Sequence, residues 1–223
     1  MATATARPYR GMGMEGFVAR WYASLTSKSI DELKALARKV ARDLPPRAEV
    51  LEVAPGPGYF AIELAKLGAY KIEGVDISRT FVEIATKNAE QAGVDVSFHE
   101  GDVANLPFAD RSFDFLLCRA AFKNFSRPVV ALTEMHRVLK PGGYALIIDL
   151  RKDASNESIT QAVDEMGLGT LNRALTKMIF RTTLLKRAYT RRQFEVFLLQ
   201  TKFGHVEIEE SPTGLELKLY RGA

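Results

Sequence analysis

The sequence predicts an α/β protein with a mostly parallel sheet and helices on both of its faces. Between residues 45 and 150, short apolar runs alternate with segments of helical periodicity. Strands that alternate with crossover helices form parallel sheets. After Leu150 the alternation stops, and helical segments lead to two final strand-like runs. The 223 residues, of which 47% are apolar, suit one sizeable domain.

Two helices are expected before the first strand, at residues 15–25 and 31–43. Asp31 is a candidate cap of the second helix, and the prolines that follow at 45–46 would end it. Apolar residues recur along this helix at helical spacing and should form its buried face: Leu33, Leu36, Ala37 and Val40.

The alternating segment is expected to supply the parallel strands and their crossover helices. Ser78 is placed to start the second crossover helix and Gly93 to stop it. Connections of this length give right-handed crossovers. The expected strands are residues 49–53, 71–76, 94–100, 113–118 and 144–150, and the expected helices are residues 59–67, 80–92 and 128–139.

A helical insert is expected after the fifth strand, over residues 156–187, with a break near Gly167 or Gly169. Thr190 is a candidate cap for a further helix over residues 190–202. Since no acid occurs between residues 166 and 194, the insert is basic: Arg173, Lys177, Arg181, Lys186, Arg187, Arg191 and Arg192.

The chain ends in two strand-like runs, at residues 205–210 and 215–220, joined by a Ser-Pro-Thr-Gly turn. Two such runs with a short connection predict an antiparallel hairpin. A parallel sheet that finishes in a hairpin is not the usual dinucleotide-binding arrangement. The expected organisation is one domain over 1–223, with an N-terminal helical lid at 1–44, a core at 45–150, a helical cap at 151–192, and the last helix and hairpin at 193–223.

A glycine-rich loop, Glu-Val-Ala-Pro-Gly-Pro-Gly at residues 52–58, connects the first strand to the first crossover helix. In open α/β sheets, ligands bind beyond the carboxyl ends of the strands, near the switch in strand order. Gly56 and Gly58 permit positive φ and a close approach of a ligand to the backbone. Taken alone, the loop is equally consistent with an ordinary tight turn.

Two classes of cofactor are compatible with this loop. Residues 56–61 fit the G-x-G-x-x-A fingerprint of dinucleotide-binding proteins, and Asp76 follows at a suitable distance. A pyrophosphate, however, needs backbone N–H donors, and Pro55 and Pro57 lack them. A negative charge on Glu52 would also repel a pyrophosphate and suit an ammonium group. The loop therefore favours a cofactor without phosphates.

Acidic residues also follow the second and third strands. Asp76 can accept hydrogen bonds from two ribose hydroxyls, and Asp102 can accept one from an adenine amino group, with Ile77 and Val103 on either side of the ring. Each acid alone could be a solvated loop residue or a helix cap. Together with Glu52 they favour an adenosine-containing ligand.

The motifs along the core resemble those of the class I S-adenosylmethionine-dependent methyltransferases, and within them the small-molecule branch that includes the ubiquinone/menaquinone C-methyltransferases. Ala54 departs from the pattern, because the family usually has glycine there. The motifs specify the cofactor and not the substrate. They are residues 52–58, Asp76, Gly101-Asp102 with Leu106-Pro107-Phe108, Ser112-Phe113-Asp114, and residues 137–143.

The resemblance implies a Rossmann-like, mostly parallel seven-stranded sheet and S-adenosylmethionine as cofactor, with S-adenosylhomocysteine as product. The implied reaction is an in-line transfer of a methyl group to an N, O, S or C atom of a small molecule. An NAD(P)-dependent oxidoreductase and a non-catalytic cofactor-binding protein are the alternatives. The expected cofactor contacts are Glu52, Ala54, Gly56, Gly58, Asp76, Ile77, Gly101, Asp102, Val103 and Arg119.

The substrate pocket is expected where the N-terminal helices, the loop after the fourth strand and the helical insert meet. Residues 119–125 contain no Asn/Asp-Pro-Pro-Tyr/Phe signature, which argues against DNA bases and glutamine as acceptors. No catalytic base is identified. The candidate substrate residues are Tyr9, Tyr22, Lys123, Asn124 and Arg151, with Trp21 and Asp149 as weaker candidates.

The remaining chemistry-bearing residues are expected to be structural. Cys118, the only cysteine, lies in an apolar run and cannot form an intramolecular disulfide, which suits a reducing cytoplasm. His99, His136 and His205 carry no motif, and no cluster has metal-ligand spacing, so no metal is predicted.

Three roles are open for the basic insert. The simplest is a cap with a solvated basic face; the others are peripheral membrane contact and recognition of an anionic substrate. Nucleic acid is not an expected partner, because the net charge is only +4 and aromatic residues are not interleaved with the basic ones. The sequence does not indicate an oligomeric state.

Overall fold

The computed structural model describes residues 9–11, 13–26, 30–166 and 169–222. The strands in these residues are β1 (Glu49–Val53), β2 (Lys71–Asp76), β3 (Ser97–Glu100), β4 (Phe113–Arg119), β5 (Leu139–Leu150), β6 (His205–Glu210) and β7 (Gly214–Tyr220). They form a seven-stranded sheet of order β3-β2-β1-β4-β5-β7-β6. Strands β1 to β5 run parallel, while β7 is antiparallel to both β5 and β6. The predicted fold class is confirmed.

Helices connect the strands and form the insert. A π-helical turn at Phe180–Leu184 joins two helices of the insert. The helices are α1 (Gly16–Thr26), α2 (Ile30–Asp43), α3 (Tyr59–Ala65), α4 (Arg79–Ala92), α5 (Pro128–Val138), α6 (Asn156–Glu165), α7 (Thr170–Ile179), α8 (Leu185–Arg187) and α9 (Arg191–Leu198).

Strand residues alternate between two hydrophobic cores, one on each face of the sheet. Val50 and Phe115 belong to the core that α2 and α3 cover. Leu51 and Leu116, the next residues along the same strands, belong to the core that α5 and α9 cover. Since side chains in a strand point alternately to opposite faces, both faces of β1 and β4 are buried. Their polar residues are therefore confined to the strand ends.

The strand order reverses at β1, which pairs with β2 on one side and with β4 on the other. In such sheets the crevice beyond the carboxyl ends of the strands is the usual ligand site. The segments that leave those ends here are residues 54–58, 77–78, 101–102 and 120–124. The fold thus brings the predicted cofactor segments to one edge of the sheet.

Most of the predicted helix caps are confirmed. The Ser78 hydroxyl accepts the N–H of Phe81 at the start of α4, and Gly93 ends that helix with a φ of 66°. Thr190 forms a capping box with Gln193 at the start of α9. The prediction for Asp31 is wrong, because α2 begins at Ile30 and Asp31 lies in its first turn. An acid is favourable at the cap and in the first turn alike, so the residue type does not separate the two positions.

The boundary between α5 and β5 also differs from the prediction. The helix ends at Val138, and β5 begins at Leu139 instead of Tyr144. The Pro-Gly-Gly segment 141–143 therefore lies within the strand, next to an irregular register on β4 between Phe113 and Phe115. Proline and glycine are tolerated at such irregular points of a sheet.

Smaller differences occur at other element ends. Strand β3 starts at Ser97, three residues after the predicted start at residue 94, and α9 ends at Leu198, before the predicted end at residue 202. Gly169 precedes α7 as its N-cap, whereas Gly167 lies outside the described residues. In the part of the chain that is described, no helix has the length and apolar character needed to cross a membrane.

Two glycines with left-handed backbones differ in their surroundings. Substituting each one therefore distinguishes the loss of stability due to positive φ from the loss due to steric crowding. A methyl group at Gly58 (φ 78°) would lie 2.7 Å from Phe98 Cζ and 2.9 Å from Ala85 Cβ, whereas at Gly93 (φ 66°) it would meet no atom within 4 Å. We expect Gly93→Ala to lower the free energy of unfolding by about 1 kcal/mol. We expect Gly58→Ala to lower it by a further 1–3 kcal/mol or so, measured by urea unfolding. Equal losses would contradict the crowding at Gly58.

Candidate active site

The backbone of the glycine-rich loop is left-handed at three positions. Ala54 and Gly56 each have a φ of 54°, and Gly58 has a φ of 78°. Left-handed backbone at alanine costs roughly 1–2 kcal/mol, so Ala54 holds a conformation that favours glycine. A methyl group at Gly56 would meet no atom within 4 Å. The loop therefore exposes open space at Gly56, where a ligand can approach.

The N–H groups of this loop are used inside the protein. Ala54 donates to the Val75 carbonyl (2.7 Å) and Gly58 donates to the Pro55 carbonyl (3.0 Å). Gly56 donates to Asp76 Oδ2 (3.0 Å). Since residues 55 and 57 are prolines, each N–H within residues 54–58 already has a protein acceptor. A pyrophosphate would find no donor in this stretch.

Asp76 ends β2 and is held by two backbone donors. Oδ2 accepts from Gly56 and Oδ1 accepts from Ser78 at 2.9 Å. Burial raises the pKa of this carboxyl to about 6, against the effect of the backbone hydrogen bonds. Each carboxylate oxygen has two lone pairs, so Asp76 can accept further hydrogen bonds. Beside it, Ile77 is 38% exposed, which leaves an apolar surface next to the carboxyl.

Glu52 faces α3 from the last part of β1. Its Oε2 accepts the N–H of Ala61 (3.1 Å), and it takes the place of a side-chain cap because the N-cap residue is Gly58. Burial raises the pKa of Glu52 to about 8. The carboxyl therefore holds its proton at neutral pH, and Glu52 does not by itself carry the negative charge that the sequence suggested. A cation beside it would restore that charge.

Asp102 follows β3 and is engaged on both oxygens. Oδ1 accepts the N–H of Ala104 (2.9 Å), and Oδ2 pairs with Nη2 of Arg127 (2.9 Å). The preceding Gly101 donates its N–H to the Asp76 carbonyl (2.9 Å), and Val103 is buried. These bonds keep Asp102 beside Asp76, with the geometry of a cap.

Arg119 is the last residue of β4 and lies between Glu32 on α2 and the side chains of Glu52 and Tyr22. Its Nη2 is 3.4 Å from Oε2 of Glu32 on α2. Its charge also opposes the effect of burial on the pKa of Glu52 and of Tyr22. The guanidinium thus faces the same region as both of these side chains.

The loop after β4 is fixed by a buried ion pair. Lys123 Nζ is 2.9 Å from Asp149 Oδ1, and the two side chains are only 6% and 2% exposed. The same lysine donates to the Ala120 carbonyl, and its backbone N–H donates to Asp149 Oδ2 (2.8 Å). Both polar ends of Lys123 are therefore engaged within the protein, which indicates a positioning role.

The N-terminal segment covers this edge of the sheet. Tyr9 forms an antiparallel bridge with Phe125, and the Met14 carbonyl accepts the Ser78 hydroxyl (2.5 Å). Burial raises the pKa of Tyr9 and of Tyr22, and Asp76 adds to both shifts. The two phenols thus lie in the same enclosed region as Asp76.

Comparison with known proteins assigns residues 51–147 to a family. Residues 51–147 match the family model described as a methyltransferase domain. A demethylmenaquinone methyltransferase of Deinococcus radiodurans is 38% identical over 107 residues, which are 48% of this chain and 44% of that protein. A ubiquinone/menaquinone biosynthesis C-methyltransferase of Bdellovibrio bacteriovorus is 36% identical over 102 residues, which are 45% of this chain and 43% of that protein.

Residues 51–147 are a class I S-adenosylmethionine-dependent methyltransferase domain. This confirms the resemblance, and the family implies S-adenosylmethionine as cofactor and S-adenosylhomocysteine as product. The chain spans about half the length of the curated relatives that it matches.

Solved structures agree with this fold. A Methanococcus maripaludis protein described as an S-adenosylmethionine-dependent methyltransferase has a TM-score of 0.74 at 19% identity, with 96% of each chain covered. The [4+2]-cyclase SpnF has a TM-score of 0.58 at 20% identity, with 85% of this chain and 81% of that chain covered. At these identities the likeness shows the fold alone.

Three further residues that the sequence singled out have the following surroundings. The Arg151 guanidinium is bound by Asp153 (2.8 Å) and Glu210 (2.5 Å) and so faces the C-terminal hairpin. Trp21 is 52% exposed. Burial raises the pKa of the Cys118 thiol well above its ordinary value, which fits a strand residue and not a nucleophile.

The histidines have structural surroundings. His99 bonds Glu73 (2.7 Å) and His205 bonds Glu207 (3.2 Å), while the ring of His136 packs on Phe203. Within the described ranges, no three His, Cys, Asp or Glu side chains are grouped to hold a metal ion.

The sequence reasoning missed two residues that shape the candidate site. Asn88 on α4 donates to the Pro57 carbonyl (2.9 Å) and holds the glycine-rich loop. Arg187, at the end of α8, bonds the side chain of Asn124. Neither residue belongs to a motif. The only signal for Arg187 was its place in a segment without acids.

The raised pKa of Glu52 gives stability a pH dependence. The folded protein retains a proton here that the unfolded chain releases near pH 4.5, so this contribution is full below pH 4.5 and is lost as the pH rises toward about 8. Glu52→Gln keeps an acceptor for Ala61 but cannot ionise. In urea unfolding at pH 5, 6.5 and 8, we expect wild type to lose stability relative to Glu52→Gln as the pH rises. Asp76 titrates in both proteins, so the difference between their profiles reports Glu52 and its coupling to Asp76. Parallel pH profiles would contradict the assignment.

Proposed function

We propose that the chain binds S-adenosylmethionine and transfers its methyl group to a small molecule. The observation that carries the proposal is the internally bonded loop 54–58 beside the buried carboxyl of Asp76. A loop without free N–H donors suits a cofactor without phosphates. It disfavours the dinucleotide alternative. The domain limits proposed from the sequence, with lid, core, cap and hairpin, fit this function.

The residues at the strand ends match the chemical groups of that cofactor. Asp76 would accept from the ribose hydroxyls, Ile77 and Val103 would face the adenine, and Asp102 would share its oxygens with the adenine amino group. Glu52, neutral when alone, would ionise next to the ammonium group of the amino-acid end. Arg119, Ala54, Gly56, Gly58 and Gly101 would complete the binding site.

The bound cofactor would supply an electrophilic methyl group on a sulfonium. The protein's part is then to position the acceptor and to exclude water. Tyr9 and Tyr22, whose pKa values burial raises, stay protonated at neutral pH and can donate hydrogen bonds. Lys123 and Asp149 keep the loop after β4 in place. Arg151 is not included in the site, because its guanidinium serves the hairpin.

Binding of S-adenosylhomocysteine and of NADH, measured by calorimetry, tests the cofactor. We expect binding of S-adenosylhomocysteine and none of NADH. Asp76→Asn should weaken binding of S-adenosylhomocysteine at least tenfold, because the amide offers donors where the site needs acceptors. A buried polar group without a hydrogen-bond partner costs roughly 1–3 kcal/mol, which supports a loss of affinity of this size. Asp31→Asn is the control, since Asp31 is exposed on α2.

Two outcomes would contradict these expectations. Tight NADH binding would reverse the assignment of the cofactor, and equal binding by Asp76→Asn and wild type would remove Asp76 from the site. Formation of S-adenosylhomocysteine from S-adenosylmethionine with a panel of small acceptors separates an enzyme from a non-catalytic binding protein.

We also propose peripheral contact of the insert with an anionic bilayer. Leu175, Met178 and Ile179 of α7 are exposed, on a helix that carries basic residues. Apolar side chains beside basic ones are typical of helices that lie at a membrane surface. The contact would place the site next to lipophilic molecules.

Co-sedimentation with vesicles of phosphatidylserine and phosphatidylcholine tests this contact. We expect binding that falls in Met178→Glu and at high salt, because both the apolar and the electrostatic attraction are weakened. Val196→Glu on α9 is the matched control: Val196 is 50% exposed and Met178 is 54% exposed. No sedimentation of wild type, or equal losses in the two variants, would contradict the proposal.

A further inference from the structure

The N-terminal strap, defined as residues 9–11, lies against the loop after β4. Tyr9 bridges Phe125, and the backbone N–H of Arg10 donates to the Asn124 carbonyl (2.8 Å). The Arg10 guanidinium donates to the Tyr189 hydroxyl (2.7 Å). The strap, the loop after β4 and the end of the insert therefore meet around Asn124.

Arg187 reaches into this junction from the end of α8. Its Nη1 donates to Oδ1 of the buried Asn124 (3.1 Å). A methyl group at Gly11 would lie 2.6 Å from the same Nη1 and would also collide with the ring of Tyr9. The strap thus passes directly over the guanidinium, and a side chain at residue 11 would displace the ends of Tyr9 and Arg187. Burial raises the pKa of Tyr9 and the charge of Arg187 opposes that rise, so the phenol and the guanidinium are close.

The positive charge in this junction has no acidic counterpart in the part of the chain that the structure describes. No carboxylate there comes within 4.0 Å of the guanidinium of Arg10 or Arg187. Other basic residues of the insert do have partners: Lys177 is 2.8 Å from Asp164, and Arg191 is 2.9 Å from Glu195. A half-buried guanidinium whose hydrogen bond goes to a neutral amide retains an uncompensated charge, which is unfavourable away from water.

The junction lies on the side of the switch point where the acceptor is proposed to bind, although Tyr9 is also close enough to Asp76 for that carboxyl to raise its pKa. Asn124 follows β4, on one side of the switch point, whereas Asp76 ends β2 on the other side of β1. The charged groups that face the junction are the guanidinium groups of Arg10 and Arg187, and each has further N–H donors besides the one that it gives to the Tyr189 hydroxyl or to Asn124 Oδ1. Such a set is complementary to a carboxylate, which an arginine can bind through two parallel hydrogen bonds.

We infer that the methyl acceptor is a small molecule with a carboxylate, and that Arg187, together with Tyr9 and Asn124, binds this carboxylate and determines substrate specificity. The inference rests on the proposed function, since it names the substrate class of the same site. The relatives' quinone substrates need not apply here, because the strap and the insert lie outside the matched residues 51–147.

One other carboxylate has the same chemistry, namely the one at the amino-acid end of the cofactor. The two sources are separable, because S-adenosylhomocysteine carries that carboxylate itself. A guanidinium that binds the acceptor leaves the affinity for S-adenosylhomocysteine unchanged. A guanidinium that binds the cofactor's carboxylate weakens it.

The test uses the full chain saturated with S-adenosylhomocysteine and two matched pairs of probes, benzoate against benzamide and hexanoate against hexanamide. Binding is measured by calorimetry. We expect at least one acid to bind tenfold or more tightly than its amide. Arg187→Gln should abolish this preference, whereas Arg187→Lys should retain part of it. Lys186→Gln is the control, because it removes the same charge from the exposed neighbouring residue.

The affinity for S-adenosylhomocysteine should stay within twofold in all variants, and a thermal unfolding curve reports whether Arg187→Gln is folded. The proposal is overturned if neither acid exceeds its amide, if Arg187→Gln and Lys186→Gln behave alike, or if Arg187→Gln weakens S-adenosylhomocysteine tenfold. Failure of wild type to bind S-adenosylhomocysteine would instead refute the proposed function, and this inference with it.

Discussion

The hydrogen bond from Gly56 to Asp76 ties the loop after β1 to the end of β2, and the rest of the site depends on it. It fixes the left-handed backbone of the loop and holds the Asp76 carboxyl at the switch in strand order. It also uses a donor that a phosphate-binding loop would keep free. The choice of cofactor therefore follows from where the loop's own N–H groups go.

A second constraint is the buried ion pair between Lys123, which follows β4, and Asp149 on β5. Loss of one partner of such a pair typically costs about 3–5 kcal/mol, because a buried charge is left alone. The pair holds the loop from which Asn124 faces the strap. Thus the Asp76 side of the candidate site rests on backbone hydrogen bonds, and the Asn124 side rests on a buried ion pair.

The candidate site was predictable from the sequence where its residues stand in local motifs. The glycine loop, Asp76 and Asp102 lie directly after strands, so their common edge follows from strand order alone. Lys123 was expected in the substrate site, but its ammonium is bound to Asp149, a partner 26 residues away. Arg187 was missed, because its contact with Asn124 spans 63 residues and leaves no spacing to recognise.

The sequence by itself determined the fold class, most caps and the cofactor motif, because alternation in strands, helical periodicity and turn residues are local. Only the tertiary structure decided the charge of Glu52, the role of Lys123 and the uncompensated charge of Arg187. These properties depend on desolvation and on partners brought from distant segments. A residue's type sets the range of its chemistry, whereas its burial and neighbours select within that range.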